Sequence, residues 1–154
     1  MRVYTHIVDE VVCLCANARR AALALTSLYD EALAPHGLKV TQYSVLRAVK
    51  RRLAPNLSAV AEATGLDRST LGRNLKVLEE LGVVALSPGQ DGRDRVVALT
   101  PRGEQLVRAA TRTWLRLQER LSAALGEDAD RLLAVSRRVS ALARDPSHRA
   151  AALR

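Results

Sequence analysis

The chain has 154 residues, of which 48% are hydrophobic, 26% charged and 3% aromatic, the size and balance of one domain able to bury roughly 68–70% of its unfolded surface. Collagen-like, intrinsically disordered and disulfide-scaffold classes are excluded by that balance. Against 16 acidic residues stand 24 Lys and Arg, a net charge of +8 that suits an acidic partner such as nucleic acid or an anionic surface without choosing between them.

Met1 to Glu10 carries His6, Asp9 and Glu10 where a signal peptide needs an apolar core, and no later stretch approaches the ~18 apolar residues of a membrane span. A cytoplasmic location without a membrane partner is therefore expected. Cys13 and Cys15 are too few and too close for a disulfide framework, which suits a reducing compartment. Phe is absent and Leu, Ala and Val dominate the apolar content, which favours helices packed through aliphatic side chains. Val8, Val11, Cys15, Ala18, Ala22, Leu25, Tyr29 and Ala32 follow steps of three and four, one stripe of a long helix. Pro35 and Gly37 stop it.

A second helix is predicted from about Thr41, through Tyr43, Leu46 and Val49, to Lys50-Arg51-Arg52, whose charges suit a helix C-terminus. Pro55-Asn56 breaks it. Leu57, Val60, Ala61 and Thr64 then fall at helical spacing, Gly65 interrupts, and Leu71, Leu75 and Leu78 resume the stripe, so the chain reads helix, tight turn, helix. The period next changes: Val83 to Leu86 and Val96 to Leu99 are short strand-like runs around the polar segment Ser87 to Arg95, a hairpin with a long tip. Thr100-Pro101 suits a helix start, and Leu106, Ala110, Leu117, Leu121 and Leu125 continue as a long helix that Gly126 ends. A last helix beginning at Asp128 or Asp130 carries Leu132, Val135, Val139 and Leu142, before Pro146 and a polar tail.

Two short helices joined by a Gly-bearing turn and followed by a hairpin match a winged helix-turn-helix, whose second helix enters the DNA major groove. Asp67 is a candidate N-cap, and Arg68, Ser69, Thr70, Arg73, Asn74 and Lys76 lie outside the leucine stripe. Arg reads guanine and Asn adenine by paired hydrogen bonds, while Lys, Ser and Thr suit phosphates. Gly72 costs ~1 kcal/mol relative to Ala inside a helix, a cost that a close approach of backbone to phosphate would explain. At the hairpin tip, Gln90 to Arg95 offers Gly92 for the turn and Arg93 and Arg95 for phosphates or the minor groove. Taken alone, the polar side of such a helix is a solvated face. The ordered series with a basic tip favours DNA.

These residues resemble the MarR family of bacterial transcription regulators over essentially the whole chain. The most specific likeness is Asp91-Gly92-Arg93, continuing to Leu99-Thr100-Pro101-Arg102-Gly103, together with Asp67 to Leu75 of the second helix, where Gly72 departs from the family's more usual polar residue. The resemblance implies a mainly α (α+β) fold, a winged helix-turn-helix over residues 39–100, and long terminal helices in 1–38 and 101–154 that intertwine as the dimerisation region. It implies a homodimer reading a palindromic operator, with Arg93 in the minor groove oriented by Asp91. Dimerisation also follows from the residues, because the stripes through Val8 to Ala32 and Leu132 to Leu142 have little inside a small winged domain to cover them. Packing of these helices on their own chain is the alternative.

Two residues apart on a helix, Cys13 and Cys15 would sit roughly 200° apart around the axis, so they make a poor metal pair, and His6, His36 and His148 lack ligand spacing. No metal or cofactor is expected. By position relative to Tyr29 and Gln42-Tyr43, Cys15 resembles the peroxide-reactive cysteine of the family's organic-hydroperoxide-sensing branch, though Arg19 replaces the activating tyrosine one turn on. Tyr29 lies roughly 21 Å further along the helix, within reach only of a partner subunit's cysteine. Cys15, Cys13 and Tyr29 are thus candidate redox residues, against a plain packing role for the thiols. The family also binds small aromatic ligands, for which Tyr29, His36, Tyr43 and Trp114 are candidate lining residues by position, each of which also suits a core. Arg108, Arg112, Arg116 and Arg120 recur every fourth residue as a solvated ridge. The function expected is a non-enzymatic, DNA-binding regulator, a repressor released by a small molecule or by thiol oxidation. The alternative is a winged-helix protein-interaction module without DNA binding.

Overall fold

The structure is a computed structural model that describes residues 13–53, 55–89, 94–147 and 150. The expectations on Val8 and Val11, and those on Asp91 and Arg93, lie outside the described residues. The chain forms two compact units, one reaching Trp114 and the other beginning at Leu115, each taken by itself below.

In the first unit, α1 (Leu14–Leu33) starts on Cys13, whose Sγ accepts the Ala16 N–H at 3.4 Å. Cys13 itself is extended, with φ −70° and ψ 112°. The expected 200° separation of the two thiols assumed that both were helical, and the cap geometry removes that assumption. A short 3-10 turn at Ala34–His36 and Gly37, at φ 67°, turn the chain into α2 (Val40–Arg52). The start of α2 is held from two sides: Gln42 Oε1 accepts the Lys39 N–H at 2.8 Å, and Asp30 of α1 accepts the Val40 N–H at 2.7 Å. Such bonds satisfy donors that a helix start leaves orphaned.

Asn56 caps α3 (Leu57–Thr64) by accepting the Ala59 N–H at 2.8 Å, and Gly65, at φ 69°, closes it in the left-handed region. The tight turn that follows leads into α4 (Arg68–Glu80). Strands β1 (Val84–Pro88) and β2 (Arg95–Leu99) pair antiparallel, with Val84 opposite Leu99 and Pro88 opposite Arg95. Each strand reaches further toward the hairpin tip than its apolar run. The free edge of β2 is not left open: Asn56 bridges Val96, and the Val97 N–H donates to the Pro55 carbonyl at 3.0 Å. That contact ties the hairpin to the start of α3.

Helix α2 packs against α3, α4 and β2, and α4 against β1, around a core that includes Leu33, Tyr43, Leu46, Val60, Leu71, Leu75, Leu78, Val97 and Val107. Helix α5 (Pro101–Leu125) enters this unit through Thr100. The Thr100 hydroxyl accepts the Gly103 N–H at 3.1 Å and donates to the Gly82 carbonyl at 2.7 Å, so one side chain both caps a helix and pins the loop before β1. In the second unit, α5 ends before Gly126, at φ 55°, and α6 (Glu127–Arg144) begins with Glu127, Asp128 and Asp130 in its first turn. Negative charge there suits the positive end of the helix dipole. Leu132, Leu133, Val135, Val139 and Leu142 of α6 are all exposed.

Candidate nucleic-acid interface

The sequence of α4 separates into two faces because its leucines recur at positions 71, 75 and 78. Those three are buried, while Arg68, Ser69, Gly72, Arg73 and Lys76 are exposed on the other side. Asp67 starts the helix with an unusually complete cap: its carboxylate accepts the Thr70 N–H at 2.9 Å, the Ser69 hydroxyl at 2.6 Å and the Thr70 hydroxyl at 2.6 Å. These hydrogen bonds, led by that from Ser69, hold the Asp67 carboxyl well below the usual carboxylate range. Arg73 Nη2 donates to Ser69 Oγ at 3.3 Å. A chain from Arg73 through Ser69 to Asp67 therefore lays the guanidinium along the exposed face, where Arg68 and Lys76 add charge.

The sequence-predicted set divides on this geometry. Arg68, Ser69, Arg73 and Lys76 share the outward face, and Arg95, first residue of β2, is exposed at the tip end of the hairpin. Asp67 and Thr70 are spent on the cap. Asn74 is turned inward: its Nδ2 donates to the Thr70 carbonyl at 2.7 Å and its Oδ1 accepts from Thr41 of α2 at 3.4 Å. Being next to Leu75 and three residues after Leu71, it flanks the buried stripe, so the amide expected to read adenine instead joins α4 to α2.

The candidate sensing residues differ in exposure. Cys13 and Cys15 are both exposed, whereas Tyr29 is half-buried, and burial pushes its phenol pKa up. Tyr43 is core, with its hydroxyl donating to Thr111 Oγ1 at 3.0 Å. Trp114 stacks obliquely near it, ring centroids 6.2 Å apart, and His36 Nε2 lies 2.8 Å from Thr113 Oγ1. Sequence reasoning missed Arg47, whose guanidinium lies 4.2 Å from the Trp114 ring centroid and 5.7 Å from that of Tyr43. The signal was present, since Tyr43 and Arg47 are four residues apart on one helix. Among the described residues, no helix is long and apolar enough to cross a membrane.

Residues 36–94 match the model of the MarR family. The transcriptional regulator MosR of M. tuberculosis, solved in complex with DNA, is 32% identical with a TM-score of 0.75, the match covering 86% of this chain and 99% of that one. The PcaV transcriptional regulator of Streptomyces coelicolor, solved with its natural ligand, is 25% identical with a TM-score of 0.77, covering 88% and 99%. YwoH of Bacillus subtilis, an HTH-type transcriptional regulator, is 28% identical over 118 residues, 77% of this chain and 81% of that protein.

Proposed function

Because the chain belongs to the MarR family of winged-helix, DNA-binding transcription regulators, we propose that it acts as a homodimeric repressor that reads a palindromic operator. The observation that carries the reading is the exposed face of α4, on which Arg68, Ser69, Arg73 and Lys76 stand clear of the leucine seam. Arg73, oriented through Ser69, is the candidate base reader, Arg68 and Lys76 bind phosphates, and Arg93 with Asp91 and Arg95 serve the minor groove. The domain division follows: residues 39–100 bind DNA, and 1–38 with 101–154 dimerise. Supporting the dimer are the exposed apolar side chains Leu14, Leu23 and Leu28 of α1 and the α6 row from Leu132 to Leu142.

The release signal is a small aromatic molecule lodged near Tyr29, His36, Tyr43 and Trp114. The PcaV structure supports that class of signal, since that relative was solved with its natural ligand. A second reading is thiol oxidation at Cys15, with Cys13 and the partner's Tyr29 nearby, and the exposure of both thiols favours it.

Selection of bound sequences from a random duplex pool, repeated with peroxide-treated protein, tests these readings together. The expected result is enrichment of half-sites about one helical turn apart, with steep salt dependence. Arg73→Ala changes the enriched sequence, and Arg93→Ala weakens binding to every sequence. Loss of the palindrome on oxidation, with Cys15→Ser resistant, selects the thiol signal; indifference to peroxide selects the small molecule. If no sequence is enriched, the protein is an interaction module instead.

A further inference from the structure

Gly72 is exposed on α4 where the outward face meets the leucine seam, and nothing inside the protein asks for a glycine there. Among the described residues the glycines with positive φ are Gly37, Gly65, Gly82 and Gly126, and Gly72 is not one of them. A Cβ at position 72 would have no heavy atom within 4 Å. A left-handed conformation and a close internal contact are the two reasons for keeping glycine inside a helix against its entropic cost. With neither in force, the chain itself does not account for the glycine, and the space that a Cβ would enter stands open.

That space is a groove of about 450 Å³ alongside α4, lined by Leu57, Ser58, Arg68, Leu71, Gly72, Leu75 and Asp94. Its chemistry is graded by depth. The buried Leu71 and Leu75 and the half-buried Leu57 give it an apolar floor, while the exposed Ser58 and Arg68 bring a hydroxyl and a guanidinium to its rim. Asp94, whose Oδ1 already accepts the Arg95 N–H at 2.9 Å, bounds it at the tip end of the hairpin strands. An apolar floor with a hydroxyl and a guanidinium above it and the Asp94 carboxylate beside it fits an uncharged deoxyribose ring, with its phosphate on the Arg68 rim, better than it fits a base edge, which needs donors and acceptors at its own level.

We propose that the groove beside Gly72 seats a deoxyribose of the bound duplex, with the adjoining phosphate held by Arg68 and Ser58. Gly72 then sets how closely α4 approaches the strand. The proposal rests on the DNA-binding reading above and adds to it a backbone contact site that works on any sequence.

The test compares wild type with Gly72→Ala and Arg68→Ala in thermal denaturation and in binding to a selected and a random duplex over a range of salt. Gly72→Ala is expected to raise the melting temperature by about 2–4 °C, because alanine is the better helix former. It should nevertheless weaken binding to both duplexes about tenfold. Arg68→Ala should reduce the slope of log affinity against log salt by about one. Binding by Gly72→Ala within about twofold of wild type overturns the proposal. So does a loss confined to one base at one position, which would mark a base contact instead. A wild-type protein that binds neither duplex removes the DNA-binding reading itself, and the groove proposal with it.

Discussion

At position 103 a hydrogen atom is all that fits. A Cβ there would lie 2.0 Å from the Val83 carbonyl oxygen, so the first turn of α5 rests directly on the chain entering β1. Since the obstacle is backbone, Gly103→Ala is expected to cost about 3 kcal/mol, read from the urea midpoint at fixed protein concentration. Position 67 behaves differently, because its value lies in hydrogen bonds to a charge. The Asp67 carboxyl titrates below its ordinary 3.8, so its stabilising effect is present above that value and is lost only as pH falls through the depressed folded pKa. Asp67→Asn should therefore melt below wild type at neutral pH, with the two curves converging only in strong acid. Asp67 was legible from sequence because a cap acts on residues two and three positions on. The packing reason for Gly103 was not, since a close approach between distant segments leaves no periodicity, and it entered only through the run Leu99 to Gly103. Nor was the inward turn of Asn74, which depends on where Thr41 of α2 stands.

Among elements, the helices were readable and the joints were not. Apolar steps of three and four located α2 to within one residue of its start, and Gly65 and Gly126 marked real ends. The strands exceeded their apolar runs because Pro88 and Arg95 are paired across the hairpin rather than buried. The anchoring of β2 by Pro55 and Asn56 joins residues about forty positions apart, and neither carries a strand pattern. Thr100 shows how much one joint bears, as its hydroxyl serves both the α5 start and the Gly82 carbonyl. Thr100→Ala is expected to cost about 1 kcal/mol in the same denaturation measurement. Thr100→Ser, which keeps the hydroxyl, should recover most of that loss.

At the scale of the whole molecule, the outstanding feature is apolar surface left exposed among the described residues. Val139 is 59% exposed and Leu23 63%, on helices whose other faces carry charge. If these rows meet a second subunit, Val139→Glu should convert the protein to a monomer in sedimentation velocity and weaken binding to a palindromic duplex about a hundredfold, through lost bivalence. An unchanged dimer would show that this row lies outside the interface. The sequence by itself determined what depends on neighbours within a turn or two: helix periods, caps, stops, and the separation of a basic face from a leucine seam in α4. Tertiary structure alone decided what depends on distant segments: which polar residues of α4 face outward, why position 103 excludes a side chain, and where a groove opens beside Gly72. The reason is physical. Local hydrogen bonding and side-chain direction are set by spacing along the chain, whereas burial and close approach are set by whatever the fold brings alongside.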